Sequence, residues 1–227
     1  EIRLSLVGSE MCIRDRSTIV FLNYRDSVER TNKYLVEQGF STSFFHGGLE
    51  QKEREASLYR FSNGSANILV STDLASRGLD IPDIDNIIHY HMPESEDGYI
   101  HRVGRTARWE AQGRAFFLLG PEEHIPDYVD AEVEDYEIPA VEELPMPAKP
   151  KMATLYIGKG KKDKISKGDI LGFLCKKGGL NSSEIGKIDV NDRYAYAAIA
   201  RPKLRSVLNN VKGEKIKGVK TIVEEVR

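Results

Sequence analysis

Cysteines and long apolar runs are scarce in this sequence, and each scarcity excludes a class of protein. The two cysteines, Cys12 and Cys175, form no spaced set, so we expect neither a disulfide framework nor a cysteine zinc site, and a reducing cytoplasm suits them. We assign no metal ligand in this chain. No apolar run approaches the roughly 20 residues that cross a bilayer, and no signal pattern is visible. The sequence therefore predicts a soluble, cytoplasmic, globular protein with no membrane partner.

A glycine-rich loop ending in Gly-Lys-Ser or Gly-Lys-Thr, which cradles nucleotide phosphates, is also absent. The stretch YIHRVGRTARWE nevertheless spaces Arg102, Arg105 and Arg108 three residues apart. If this stretch is helical, Arg105 and Arg108 share a face, and their planar guanidinium groups suit phosphoryl oxygens. A polyphosphate is therefore one candidate ligand, whereas a solvated basic helix face is the other interpretation.

The net charge of −2 conceals an uneven distribution along the chain. Residues 151–227 carry 18 Lys and Arg against 8 Asp and Glu, a net of +10. Residues 1–150 carry 15 against 27, a net of −12. A compact basic region suggests an anionic ligand, and nucleic acid is the first candidate. Charge alone allows a solvated lysine-rich surface equally well.

Residues 17–130 alternate short apolar runs with helical patterns. The runs STIVFLN, STSFFH, NILVST, NIIHYHM and RAFFLLG read as buried strands, and helical periods fall between them, including one over residues 94–108. This alternation predicts an α/β domain with a doubly wound parallel sheet. Residues 1–16 show no sustained period and resemble a translated sequencing adapter, so we leave them out of the fold as an artefact that replaces the natural N-terminal part.

Residues 131–150 change in composition, and a second domain is expected beyond them. The stretch from Asp130 to Pro150 holds seven acids and four prolines against one lysine, which is typical of an extended linker. Residues 151–227 then give a βαββαβ order, with a hairpin that turns at Asn191 and Asp192. That order predicts a small α+β domain.

Polar clusters follow the ends of the predicted parallel strands, where doubly wound sheets bind ligands. The clusters are Asn23, HGGLEQKER at 46–54, STDLASRGLDIP at 71–82 and HRVGRTAR at 101–108. Ser71 and Thr72 offer hydroxyl and N–H groups to a phosphate, and Asp80 offers an acceptor to a sugar hydroxyl. We take His89 and His91 as structural, because they alternate within a predicted strand and form no metal-ligand set with a cysteine.

These four clusters, in this order and at this spacing, resemble motifs IV, IVa, V and VI of the second RecA-like domain of DEAD-box RNA helicases. The resemblance implies that Arg105 and Arg108 are arginine fingers and that Gly78 and Asp80 bind the nucleotide. It also implies ATP and Mg²⁺ as cofactors, held mainly by a first RecA-like domain that this sequence lacks. Catalysis would then need both domains.

The same resemblance implies contacts with RNA. Gly47, Arg54 and Thr72 would touch the RNA backbone, and His101 with Arg102 would couple RNA binding to the ATP site.

Residues 151–227 resemble the RNA-binding domain of DbpA-type bacterial helicases, through TLYIGKGKKDKISKGDILGF, IGKIDV and KIKGVK. The resemblance implies an RRM-like fold, a 23S rRNA hairpin as ligand and the large ribosomal subunit precursor as partner. The residues that we expect to hold RNA are the lysines of one loop, Lys159, Lys161, Lys162, Lys164 and Lys167. Tyr156, Tyr194 and Tyr196 are either core residues or a surface on which bases stack.

The implied function is the C-terminal part of an ATP-dependent RNA helicase that remodels rRNA during large-subunit assembly. The isolated chain would then bind RNA without hydrolysing ATP. The alternative is a non-catalytic RNA-binding adaptor that keeps a RecA-like scaffold, and a DNA helicase of the same superfamily is a weaker rival. Arg105 and Arg108 together with Asp80 favour the helicase, because a scaffold does not need them.

Overall fold

A computed structural model describes residues 3–7, 17–76, 84–105, 113–130, 132–136 and 146–226. The chain divides into two compact units, the first formed by Glu1–Ser62 with Ala66–Lys149 and the second by Asn63–Ser65 with Pro150–Arg227. Within the described residues, no helix combines the length and the apolar character needed to span a bilayer.

The first unit is built on a seven-stranded sheet with the strand order β3-β4-β2-β5-β6-β1-β7. Its strands are β1 (Arg3–Val7), β2 (Thr18–Phe21), β3 (Thr42–Phe45), β4 (Ile68–Ser71), β5 (Asn86–His89), β6 (Arg114–Leu119) and β7 (Glu134–Tyr136). Strands β2 to β6 are mutually parallel, whereas β1 is antiparallel to both β6 and β7. The predicted parallel sheet is confirmed.

Helices cover both faces of this sheet, as the doubly wound prediction requires. They are α1 (Arg25–Glu37), α2 (Gln51–Ser62) and α3 (Glu96–Val103). Successive side chains of β2 point to opposite faces, so Ile19 and Phe21 join one buried cluster with Phe61 of α2. Val20 and Leu22 join another cluster with Val28 of α1.

Two strands of this sheet, β1 and the edge strand β7, lie outside the predicted elements. Residues 1–16 are left out of the fold in the sequence analysis, but Arg3–Val7 pairs with both β6 and β7. The predicted linker likewise begins with a strand, because Glu134–Tyr136 pairs with β1. The adapter origin of residues 1–16 and the linker bounds stay predictions.

The second unit is a four-stranded antiparallel sheet with the order β13-β8-β10-β9. Its elements are β8 (Met152–Ile157), α4 (Lys167–Lys176), β9 (Ile185–Val190), β10 (Ala195–Ala200), α5 (Leu204–Asn210) and β13 (Val223–Glu225), which is the predicted βαββαβ order. A short hairpin of β11 (Lys215–Ile216) and β12 (Val219–Lys220) precedes the last strand. Both helices pack on one face of the sheet around Leu155, Ile157 and Ala197.

Candidate nucleotide and nucleic-acid sites

The predicted polar clusters of the first unit begin at one edge of the parallel sheet. Phe21 of β2 is in register with Ser71 of β4 and with His89 of β5, and Phe45 of β3 is also in register with Ser71. The carboxyl ends of these four strands therefore align. The residues that follow them, including Asn23, Thr72 and His91, emerge side by side, as the sequence predicts.

Arg102 of α3 binds the polar groups that follow three of these strands. Its Nε donates to Oδ1 of Asp73, its Nη2 donates to Oδ1 of Asn23 at 2.9 Å, and its Nη1 donates to the carbonyl oxygen of His91 at 2.8 Å. The guanidinium carbon also lies 5.1 Å from the centre of the Phe21 ring. One guanidinium thus ties together the segments after β2, β4 and β5.

The Arg102 side chain is fully buried, with 0% of its surface exposed. Nη1 also lies 3.4 Å from Nδ1 of His89, a ring that stacks on Phe117 with centroids 4.7 Å apart. Burial, and then the Arg102 charge, lowers the pKa of His89 to about 3. His89 is therefore neutral at physiological pH, and its Nδ1 faces a permanent donor.

Arg102 and the two histidines thus form a structural network. Nδ1 of His91 accepts from the backbone N–H of Asn23 at 3.1 Å. Its pKa is lowered, mainly by burial. No surface of Arg102 is open to a ligand, and its role in coupling RNA to the ATP site stays a prediction. His101, the other predicted coupling residue, is exposed.

The prediction that Arg105 and Arg108 share a helix face is not supported in the described residues. Helix α3 begins at the N-cap Ser95, whose Oγ accepts from the N–H of Gly98, and it ends at Val103. Gly104 caps the helix, and a Cβ there would lie 3.0 Å from the carbonyl oxygen of Ile100. Arg105 therefore lies in a turn after the helix, where its guanidinium still suits a phosphoryl oxygen.

Three residues of the predicted nucleotide site, Gly78, Asp80 and Arg108, lie outside the described residues. Of the four residues predicted to meet the nucleotide, the structure describes Arg105 alone. The Arg105 guanidinium is chemically suited to ATP phosphates, and the nucleotide site as a whole stays a prediction.

The loop after β3 is held by a buried histidine that the sequence analysis assigns no role. His46 is 2% exposed. Its Nδ1 accepts from the backbone N–H of Gly48 at 3.1 Å, so its Nε2 carries the proton and lies 3.1 Å from Oε1 of Glu29. This geometry fixes the turn that presents the exposed Gly47, one of the predicted RNA contacts.

The other predicted RNA contacts differ in accessibility. Nη2 of Arg54 donates to Oε1 of Gln51 at 3.0 Å, one turn earlier on α2. Ser71 is fully buried, and its hydroxyl donates to the carbonyl oxygen of Phe45 at 2.8 Å. The N–H of Thr72 donates to the same Phe45 carbonyl oxygen at 3.2 Å. The prediction that Ser71 and the Thr72 N–H meet a phosphate is therefore wrong, and only the partly exposed Thr72 side chain remains.

The predicted lysine loop of the second unit packs on the hairpin between β9 and β10. The N–H groups of Lys161 and Lys162 donate to the carbonyl oxygens of Asn191 and Asp192 at 2.9 and 2.8 Å. A Cβ at Gly160 would overlap the Asn191 carbonyl oxygen and lie 2.7 Å from the amide nitrogen of Tyr194. Glycine is therefore required for the loop to approach the hairpin.

Within this loop, the lysines differ in how fully their charge is compensated. Three have carboxylate partners, in the pairs Lys159–Asp163 at 3.0 Å, Lys162–Asp192 at 3.4 Å and Lys167–Asp189 at 3.6 Å. The backbone N–H of Gly160 and the Lys159 ammonium lower the pKa of Asp163. Lys161 and Lys164 are exposed and have no salt bridge among the described residues. These two are the lysines best placed to attract phosphate.

Two further basic residues join the loop from distant parts of the sequence. Nζ of Lys217, between β11 and β12, donates to the carbonyl oxygen of Lys164 at 3.2 Å and lies 3.4 Å from Asp169. Arg193 is exposed in the hairpin that supports the loop. Sequence analysis missed both because neither lies within the lysine-rich stretch. No three His, Cys, Asp or Glu side chains of the described ranges are placed to hold a metal ion.

Comparison with known families defines the class of both units. Residues 4–110 match the helicase conserved C-terminal domain, so the first unit is a RecA-like domain of that class. Residues 154–225 match the DbpA RNA-binding domain. With both domains in this order, the chain matches the helicase C-terminal domain and the RNA-binding domain of DbpA-type DEAD-box RNA helicases, and the resemblance inferred from the motifs is confirmed.

Two curated relatives align with most of the chain. It is 36% identical over 207 residues to the ATP-dependent RNA helicase DbpA of Escherichia coli strain K12, covering 89% of this chain and 45% of that protein. It is 31% identical over 228 residues to DbpA of Bacillus subtilis strain 168, covering 89% and 48%. The chain therefore spans about half the length of these relatives. Among solved structures, the C-terminal domain of the DEAD-box protein Dbp5 is 28% identical, covering 48% of this chain and 64% of that chain with a TM-score of 0.45.

Proposed function

We propose that this chain is the C-terminal part of an ATP-dependent RNA helicase that remodels rRNA during assembly of the large ribosomal subunit. The observation that carries the proposal is the pairing of the strand-end motifs around Arg102 with a DbpA-type RNA-binding domain in one chain. The first unit would supply Arg105 and Arg108 to ATP and Mg²⁺ held by a partner RecA-like domain. The second unit would hold a 23S rRNA hairpin through its lysine loop.

Mechanistically, the predicted site residues would act by positioning and by charge. Arg105 and Arg108 would stabilise the negative charge that develops on the phosphoryl group during transfer, which in related systems is worth roughly 10³- to 10⁵-fold in rate. Gly47, Arg54 and Thr72 would hold the RNA backbone on the same unit, so closure of two domains would strain a short duplex. The cytoplasm is the proposed compartment.

ATP turnover tests the proposal for the first unit. We expect no steady ATPase activity from the chain alone, and RNA-stimulated activity when the first RecA-like domain of a DbpA-type relative is added. Arg105→Ala should abolish the restored activity, whereas Arg30→Ala, at an exposed position on α1, should not. A steady ATPase rate from the chain alone that disappears in Arg105→Ala would overturn the shared-site proposal.

Salt-dependent RNA binding tests the proposal for the second unit. Replacing Lys161, Lys162 and Lys164 with alanine should weaken binding of a 23S rRNA hairpin. It should also reduce the slope of log affinity against log salt concentration by about 2, because each phosphate contact adds roughly 0.7–0.9 to that slope.

A matched control removes the same charge elsewhere in the second unit. Lys176, Lys203 and Lys212 are exposed outside the loop, and their joint replacement with alanine should leave the slope nearly unchanged. Equal effects of the two triple variants would mean that total charge, and not the loop, attracts RNA. No binding by the unaltered chain would reject the proposal itself.

A further inference from the structure

The last strand of the second unit, β13, has one free edge. In the strand order β13-β8-β10-β9 it pairs with β8 alone. The N–H of Val226, just past the strand, donates to the carbonyl oxygen of Thr154 at 2.9 Å. Because backbone groups alternate in direction along an antiparallel strand, Val223 and Glu225 direct theirs away from β8. Among the described residues, no further strand pairs with this β13 edge.

A groove of about 550 Å³ runs beside the β13 edge, between the strand and the C-terminal end of α5. Leu208, Val211 and Val223 line it, and all three pack on the buried cluster of this unit. Ile222 also lines the groove and keeps 67% of its surface exposed. Lys212, the basic lining residue, is exposed, so its ammonium can stay in water. The groove therefore suits apolar side chains.

The other face of the β13 edge carries an acidic side chain without a cation. Residues 151–227 contain eight Asp and Glu, and seven of these lie within 4.0 Å of a Lys or Arg nitrogen. Glu224 has no such partner among the described residues, although this region carries 18 Lys and Arg. It is exposed, and it alternates with Val223, so it points away from the groove. Its charge is free to attract a cation from a partner.

These features favour an extended polypeptide over other occupants. A polypeptide strand supplies backbone donors and acceptors that match those of Val223 and Glu225. RNA presents phosphates, which the Glu224 carboxylate repels. A second copy of β13 would present Val-Glu-Glu to Val-Glu-Glu, and like charges on neighbouring strands are destabilising.

We propose that the β13 edge and its groove bind an extended segment of a partner protein, in which apolar residues alternate with Lys or Arg. The segment adds a strand beside β13, and its backbone pairs with Val223 and Glu225. Side chains on neighbouring strands share a face, so every second residue of the segment lies over the groove and is apolar. The intervening basic residues neutralise Glu224. This site needs neither ATP nor RNA, so the inference goes beyond the proposed function.

Peptide binding to the full chain tests this proposal. The probe is a fluorescein-labelled peptide of alternating valine and lysine, about six residues long as strands commonly are, and anisotropy gives its affinity. It should bind with a dissociation constant below about 1 mM. Glu224→Arg should weaken this binding by about 3- to 30-fold, because an attraction becomes a repulsion. The same variant should strengthen binding of a valine–glutamate peptide.

Matched controls separate charge, backbone pairing and groove filling. Glu122→Arg makes the same charge change at an exposed position of the first unit and should alter neither affinity. A valine–lysine peptide with N-methyl groups on alternate residues cannot donate to the β13 edge, and a serine–lysine peptide cannot fill the groove. Each should bind about fivefold or more weakly.

Amide hydrogen exchange followed by NMR locates the bound peptide. The amides of Val223 and Glu225 should exchange more slowly when the valine–lysine peptide is present. The amide of Val226 already donates to Thr154 and should not change. This pattern is specific to strand addition, because binding elsewhere on the unit would not protect alternate residues of β13.

Other outcomes would overturn the proposal. If the valine–lysine peptide does not bind, or binds without protecting Val223 and Glu225, the role of Glu224 is to keep the β13 edge from pairing. Equal binding of the valine–glutamate peptide to the unaltered chain would mean that charge does not select the occupant. Protection of the same amides by the rRNA hairpin would make this edge an RNA surface. Protection that rises with chain concentration, together with a dimer in sedimentation, would make the occupant a second copy.

Discussion

Replacing Arg102 with alanine should destabilise the first unit by about 3–4 kcal/mol. The substitution leaves the Asn23 side-chain oxygen and the His91 carbonyl oxygen without their donor. An unsatisfied buried acceptor costs about 1–3 kcal/mol, and both residues are partly exposed, so we take about 1 kcal/mol each. The lost packing of the guanidinium over Phe21 adds about 1–2 kcal/mol.

Asp73 contributes little to this loss. Its side chain keeps 37% of its surface exposed, so water replaces the guanidinium and the ion pair itself is worth at most about 1 kcal/mol. Arg102→Lys keeps the charge but not the planar fork that reaches three separate acceptors. We expect it to lose about half as much stability as Arg102→Ala.

Denaturant titration of the full chain, with hydrogen exchange read peptide by peptide, measures the effect in each unit. Peptides from 17–130 should lose protection in Arg102→Ala, whereas those from 152–226 should not. Arg30→Ala, on the exposed side of α1, is the control and should leave both units unchanged. A loss below about 1 kcal/mol for Arg102→Ala would mean that water satisfies the three acceptors and that the buried network is unimportant.

Two further predictions follow from buried groups. Because the pKa of His89 is about 3 in the folded chain and about 6.5 when unfolded, the unfolded state binds the extra proton between these values. The unfolding free energy of the first unit should thus fall by about 2 kcal/mol from about pH 7 to about pH 5. Urea titrations at several pH values should show that His89→Gln lacks this part of the pH dependence. The same pH dependence in His89→Gln and in the unaltered chain would contradict the burial argument. Gly160→Ala should displace the lysine loop because the new methyl group would overlap the Asn191 carbonyl oxygen. The affinity for the rRNA hairpin and the hydrogen-exchange protection of residues 159–165 should both fall. Gly172→Ala, whose methyl group meets nothing within 4 Å, is the control and should preserve both.

The main strands and helices could be predicted because their patterns are local. Each parallel strand of the first unit is a short run rich in apolar, β-branched or aromatic residues. The missed strands β7, β11 and β12 lack such a run. The β7 strand is Glu-Asp-Tyr, two residues of which disfavour strands, and it forms because β1 provides a partner. The β11 and β12 strands have only two residues each.

The sequence did not predict which residues of the candidate site are buried and which are exposed. The partners that bury Arg102 come from residues 11, 29 and 79 positions away. No helical period or spacing rule connects positions that far apart. Lys217 likewise reaches Lys164 across 53 positions. The residue types were therefore predictable from motifs, but their burial depended on how the strand ends meet.

The end of α3 explains why two arginines three residues apart take different positions. A helix that continued through Arg105 would put it one turn beyond Arg102 on the same face, where the interior already holds one buried guanidinium. A second cation in that interior would carry the desolvation cost of an unpaired charge. Helix α3 ends at Val103 with Gly104 as its C-cap, and Arg105 follows it with a partly exposed side chain. The glycine therefore lies between an arginine that holds the strand ends together and the arginine that is predicted to meet a phosphate.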